Sequence, residues 1–250
     1  IVLIKVLKLK NIIFRNLKFN EFNIFKNYYK KNLDKKNIFV KNKKIFDWHF
    51  KNIKNYNFYI TINKKKIYSI QGFIPQSKFD NKLPSSEIFL SNFHALEKIL
   101  PGLGSIAFKK LINNKSFVGS TNFPLRMLNY HNKLGFKTGK MQHFVAVSPY
   151  KKNFSIIIVG KKELRQIKRH NIKSLINKNV SFKKINNLKQ LKLNPKYFKK
   201  YTPKKSKKFL YNRYIDYPYF NYYCYEVYKN KKPVSVIVFR KLKYKTNNII

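Results

Sequence analysis

Acid, glycine, cysteine and long apolar runs are all scarce in this chain, and each scarcity removes a class of function. Nine Asp and Glu residues among 250 leave few carboxylates for paired acid–base work. The five histidines, His49, His94, His131, His143 and His170, show no ligand spacing, so no metal site is expected. A single cysteine, Cys224, excludes an internal disulfide framework and gives no support to a structural zinc site. It lies in the run Tyr222–Tyr228, which reads as a strand, and this is the setting of a buried structural thiol rather than a nucleophile. A reduced, cytoplasmic location is the default expectation. No stretch reaches the ~18 uninterrupted apolar residues of a membrane helix, so no transmembrane segment is expected. The opening IVLIKVLKLK is broken by lysines, and no small-residue cleavage signal follows it. Residue 1 is Ile rather than Met, which points to a fragment or a processed chain. Neither a Gly-x-Ser-x-Gly elbow nor a Walker lysine occurs.

What is abundant is lysine set among aromatic and aliphatic residues. The hydrophobic fraction of 44% is too high for a disordered polycation, so the chain should fold, as one or two domains. Fifty-six Lys and Arg give a formal net charge of +47. The lysines run along nearly the whole length beside Asn, Ile, Phe and Tyr, the signature of an A+T-rich coding bias. The charge still creates a long-range, salt-sensitive field that attracts anionic surfaces, nucleotides and nucleic acid.

Taken in order, residues 11–18 read as a strand and 22–36 as a basic helix with Phe22, Phe25, Tyr28 and Tyr29 on one side. The segment 43–51 holds the only tryptophan, Trp48, and with His49 is expected to pack that helix onto a sheet; the alternative is a wall of an acceptor pocket. Residues 58–62 and 67–74, joined by a polar turn, read as a hairpin. A loop, PQSKFDNKLPSS, then leads to a strand over 87–94. Further strands are expected over 116–120, 139–147 and 155–159, and helical patterns over 124–133 and 161–177.

Four of the seven glycines, Gly102, Gly104, Gly119 and Gly135, fall between Glu87 and Phe136. The strand over 87–94, the turn PGLGS and the helix opening at Ile106 form a strand, Gly-x-Gly, helix order. That order points backbone N–H groups and a helix dipole at an anion, usually a phosphate. Gly104 would let the backbone approach the ligand, and Gly135 sits where a helix C-cap glycine belongs.

GLGSIAF and LNYHNKLGF together resemble the two motifs of the GNAT family of CoA-dependent N-acyltransferases, in the family's order, over about residues 12–147. The resemblance implies a mixed, mostly antiparallel α/β sheet with flanking helices and acetyl-CoA or another acyl-CoA as co-substrate. It implies that Gly102, Leu103, Gly104, Ser105 and Ile106 bind the pyrophosphate. It places the proton donor to the departing thiolate at His131, with Tyr130 beside it, where the family often has tyrosine. Ile99 stands where a basic residue usually precedes the turn, beside Lys98, and Asn122 lies about two residues farther from Gly135 than the family's usual helix-start asparagine. His94 or Glu87, acting through water, is the expected base, and Glu97 a partner of the helix dipole. In the family pattern the loop after the hairpin borders the acceptor, which makes Gln76, Lys78, Phe79 and Asp80 candidate substrate contacts.

An internal echo extends the reading. NKKKIYSIQGF over 63–73 aligns without gaps with KNKKPVSVIVF over 229–239, an offset of 166. The expected organisation is a GNAT-like domain over 1–150, a connecting segment over 151–178, and over 179–250 the opening half of a second, truncated GNAT-like domain. This layout resembles tandem-GNAT proteins of bacterial surface-polysaccharide clusters, which suggests a nucleotide-linked amino sugar as the amine acceptor. Two other classes stay open. One is a basic RNA-binding, ribosome-associated protein; the other is a Fem-type transferase drawing on aminoacyl-tRNA.

Overall fold

The computed structural model describes residues 11–121, 123, 127–139, 179–200, 202–244 and 247–249. The strands expected over 139–147 and 155–159 and the helix over 161–177 lie, wholly or all but Gly139, outside these residues, as does the boundary expected at 150. The chain divides into two compact units, residues 1–122 with 195–213, and residues 123–194 with 214–250.

The first unit is an α/β structure on a five-stranded mixed sheet. Strand β1 (Ile13–Asn16) is followed by helices α1 (Phe22–Asn32), α2 (Ile38–Lys41) and α3 (Lys43–Phe50). The hairpin β2 (Phe58–Asn63) and β3 (Lys66–Pro75), strand β4 (Glu87–Ala95), helix α4 (Leu103–Ile112) and strand β5 (Phe117–Gly119) complete it. The strands lie in sequence order; every neighbouring pair is antiparallel except β4 and β5, which are parallel. Helix α1 ends at Asn32, four residues short of expectation, because Leu33 leaves helical geometry and Asp34 caps the next turn through Lys36 N–H.

Alternation on β2 decides what each face buries. Phe58, Ile60 and Ile62 are fully shielded on one side, where Phe25, Phe46 and Phe50 are buried with them. Their rings meet edge-on or tilted, Phe25 to Phe58 at 4.8 Å and Phe46 to Phe50 at 5.1 Å. The opposite face carries Tyr59, Phe73 and Ile88 against Leu111 of α4.

The second unit contains helix α5 (Leu128–Lys133) and a three-stranded antiparallel sheet of β6 (Val180–Lys184), β7 (Tyr222–Lys229) and β8 (Lys232–Arg240) in that order. Strands β9 (Leu242–Tyr244) and β10 (Asn247–Ile249) form a separate pair. The echo seen in the sequence recurs as geometry. Both hairpins close on a two-residue turn, at Asn63 opposite Lys66 and at Lys229 opposite Lys232. Both also carry a register shift, at Thr61/Ile62 and at Val227/Tyr228, positions related by the same offset. Cys224 is buried on β7, and burial with Glu226 beside it pushes its thiol up to about 11. Among the described residues no helix is long and apolar enough to cross a membrane.

Candidate functional site

Three features meet at one edge of the first unit. The first is a fork: β4 pairs with β5 at Glu87, Ile88 and Phe89, opposite Phe117, Val118 and Gly119, and β4 then runs on to Ala95 after β5 has ended. The second is a bulge in β4, where the pairing with β3 steps from Ser91 opposite Gly72 to His94 opposite Ile70. Asn92 lies in this bulge with φ +52°, and its Nδ2 is shielded from solvent with no hydrogen-bond acceptor among the described residues. A buried amide donor without a partner is costly unless a group beyond the described residues completes it. The third is the start of α4, reached directly from the end of β4.

At that helix start the chain supplies its own anion. Glu97 Oε2 accepts the Gly102 N–H at 2.8 Å, the place where the helix dipole favours negative charge. Leu103 N–H goes to the Leu100 carbonyl and Ile106 N–H to the Gly102 carbonyl. Of the five residues expected to face a pyrophosphate, Gly104 and Ser105 keep N–H groups without an acceptor among the described residues. At Gly104 the backbone approaches the protein closely. A Cβ there would come within 2.6 Å of Glu97 Oε1 and 2.8 Å of Ala95 Cβ.

His94 and Glu87 sit at opposite ends of β4. His94 Nδ1 is 2.8 Å from the Tyr28 hydroxyl, and burial holds the imidazole below its usual range, so the ring is neutral near pH 7. Burial likewise raises Tyr28, which keeps its hydrogen. If Tyr28 passes that hydrogen to the Tyr68 carbonyl, 3.4 Å away, Nδ1 is the donor and Nε2 the free base. Glu87 is buried, and its Oε2 accepts the Lys204 N–H at 2.7 Å. The carboxylate expected to act on water thus serves a later stretch of the same chain.

That stretch also takes the loop expected to contact an acceptor. Gln76 Oε1 accepts from Lys205 Nζ at 3.0 Å, and Asp80 Oδ2 accepts from the Ser206 hydroxyl at 2.6 Å. Ser206 in turn caps the short helix Lys207–Leu210 by accepting the Phe209 N–H. Phe79 packs between Trp48 at 5.1 Å and Phe209 at 5.5 Å, and its carbonyl accepts from Asn212. Lys78 donates to the Lys51 carbonyl, and burial lowers its ammonium below the usual range. Gln76, Lys78, Phe79 and Asp80 therefore commit polar or aromatic groups to partners within the first unit. No local pattern announces this, because Lys205, Ser206, Phe209 and Asn212 lie more than a hundred residues along the chain from the loop they hold. His49 packs at 5.2 Å from Phe39 and 4.9 Å from Trp48, and Trp48 against Phe79, rather than between the helix over 22–32 and the sheet.

Tyr130 and His131 lie on α5, in the second unit. Gly135, at φ +83°, ends that helix: its N–H goes to the Asn132 carbonyl and the Phe136 N–H to the His131 carbonyl, the paired bonds of a glycine C-cap. His131 Nδ1 is 2.7 Å from the Met127 carbonyl, so it must carry the hydrogen. In the neutral ring Nε2 is then an acceptor and has no proton to give. Asn92 is the functional candidate that sequence reasoning passed over. An asparagine inside the apolar run EIFLSNFHA was the available signal, and the β4 bulge gives it meaning.

Among the described residues no group of three or more His, Cys, Asp or Glu side chains could hold a metal ion. No protein-family model matches the chain, and no curated protein matches it.

Proposed function

We propose that the chain is an N-acyltransferase that moves an acetyl or other acyl group from a CoA thioester to an amine. The observation that carries this reading is the fork: one parallel pair in an otherwise antiparallel sheet, three residues long, opening beside a bulged strand that leads into a glycine-started helix. Such a fork offers unpaired β4 backbone to an extended thioester arm, with the first turn of α4 at its far end for phosphate. This is the layout that the resemblance to GNAT enzymes implies.

The chemistry needs an amine without its proton, a developing oxyanion met by donors, and a leaving thiolate that is protonated. In the tautomer that keeps its hydrogen on Nδ1, facing the Tyr28 hydroxyl, His94 Nε2 is the base at the fork, reached through water. The β4 bulge supplies backbone N–H groups and the unpartnered Asn92 amide to the thioester oxygen. The resemblance assigns the thiolate's proton to Tyr130 or His131, and within the second unit the Nδ1 hydrogen of His131 is committed to the Met127 carbonyl. Displacement of Glu97 by the pyrophosphate frees the Gly102 N–H and completes the anion seat with Gly104 and Ser105. The acceptor suggested by the same resemblance is a nucleotide-linked amino sugar, drawn in by the basic field.

A panel of amines, amino-sugar nucleotides included, mixed with acetyl-CoA and followed by release of free thiol, tests the proposal. Amine-dependent release well beyond one equivalent per chain is the expected result. Release that never exceeds the rate without protein would end the transferase reading.

A second reading rests on the sheet of the second unit. Tyr223 and Tyr225 lie nearly parallel to Phe239, at 10° and 6°, with the ammonium groups of Lys184 and Lys241 at 5.7 and 5.4 Å over Tyr223. Stacked rings beside cations suit the bases and phosphates of single-stranded nucleic acid. Oligonucleotide binding that survives 0.5 M salt would favour it, and binding lost at that salt would reduce it to the general effect of charge.

A further inference from the structure

Lys205 differs in its surroundings from the many lysines that face water. Its Nζ lies 4.5 Å from the centre of the Phe209 ring and 4.9 Å from that of Phe89, and it donates to the amide oxygen of Gln76, a residue only 1% exposed. It forms no ion pair with a carboxylate among the described residues. Glu87, the acid whose charge reaches it, is bonded to the neighbouring Lys204 N–H. Phe89 is the last residue of β4 to pair with β5, so the amine rests against the side chain at which the fork opens.

We propose that Lys205 is a covalent acylation site, an amine that accepts acyl groups from thioesters. The physical basis is loss of water without gain of a counter-ion. Burial and the Arg213 guanidinium favour the uncharged amine and outweigh Glu87, which favours the ammonium; the balance brings Lys205 down to about 8. Near pH 8 about half of Lys205 carries a free lone pair, whereas an ordinary lysine is almost wholly protonated. In the reaction that lone pair attacks the thioester carbonyl carbon. The C–N bond forms, the C–S bond breaks, the thiolate leaves with the bonding pair and the nitrogen sheds a proton to solvent. Nothing is oxidised or reduced. The amide product retains one N–H, enough for the Gln76 oxygen, and no longer holds a charge between two rings. The inference draws on the proposed function only for the place where a CoA thioester would sit; the reactivity of the amine stands apart from it.

The test uses the full chain and two donors: acetyl-CoA, and the acetyl thioester of N-acetylcysteamine, which has no nucleotide or pyrophosphate. Chymotryptic peptides are read by mass spectrometry for acetylation at Lys205 and at exposed Lys208 on the same segment. Lys205 is expected to react about tenfold faster than Lys208 at pH 8, with a rate that levels off above that pH. Phe209→Leu, which thins the shielding on one side, should reduce that lead. A lead with both donors supports the site, and a lead with acetyl-CoA alone supports both the site and a donor held at the fork. Equal rates at Lys205 and Lys208 with both donors, in a chain that retains its circular dichroism, overturn the proposal. The transferase reading is then decided separately, by acetyl-CoA binding and by transfer to added amines.

Discussion

Gly104 and His49 show how single residues constrain the first unit. Because a Cβ at Gly104 would press on Glu97, Ala95 and Phe93, even Gly104→Ala should destabilise the unit, by about 1–3 kcal/mol in urea unfolding. A bulkier substitution there would test folding before it tested ligand binding, so the anion seat is better probed at Glu97. His49 predicts a pH dependence. Burial, with Arg213 and Lys78 nearby, pulls its imidazole down to about 4. The unfolded chain takes up this proton below about pH 6.5 and the folded one only near 4, so stability present above pH 6.5 is lost as pH falls through that window. The contribution is about 3 kcal/mol. Stability of a His49→Phe variant, measured from pH 7 to 4, should fall less steeply than that of the parent; identical slopes would remove His49 from the account. At this scale the sequence revealed residue types but not their partners. Glu97 was legible as a dipole partner because it lies five residues from Gly102, whereas the Glu87 contact with Lys204 joins positions 117 apart.

Elements were read better than sites, because periodicity is local. The hairpin of β2 and β3, strand β4, the helix after Gly102 and the glycine that closes α5 all follow from apolar alternation and from glycine placement. The β4 bulge did not, since Asn92 adopts its positive φ without the glycine that usually announces one. The face of α1 is equally plain, with Phe22, Phe25, Tyr28 and Tyr29 buried along one side. Phe25→Ala should cost about 3–5 kcal/mol, because Phe46, Phe58 and Tyr29 all close on that ring and cannot collapse into the space. Gly135→Ala should cost about 1 kcal/mol in the second unit, from backbone strain alone, since no atom lies within 4 Å of the added Cβ. A loss of 3 kcal/mol or more at Gly135 would show that the glycine does more than end a helix.

For the whole molecule, composition suggested a folded basic protein, and the internal echo foretold a second hairpin; that both hairpins carry a register shift at matching positions emerged only from the structure. What sequence order could not reveal is that residues 195–213 belong with the first 122. That segment covers the loop after β3 through Lys205, Ser206, Phe209 and Asn212. Asp80→Ala removes the acceptor of the Ser206 hydroxyl and should make the chain between 200 and 213 the first site of limited proteolysis. An unchanged cleavage pattern would mean that the aromatic contacts of Phe79 hold the segment unaided. The central claim, that the fork and the start of α4 form a seat for a CoA thioester, is tested most directly by titration calorimetry with acetyl-CoA at 50 mM and 500 mM salt, on the parent chain and on Glu97→Gln. The account predicts saturable binding that persists at high salt and tightens when the competing carboxylate is neutralised. Binding that vanishes at high salt in both proteins, or is matched by any polyanion of equal charge, would contradict it.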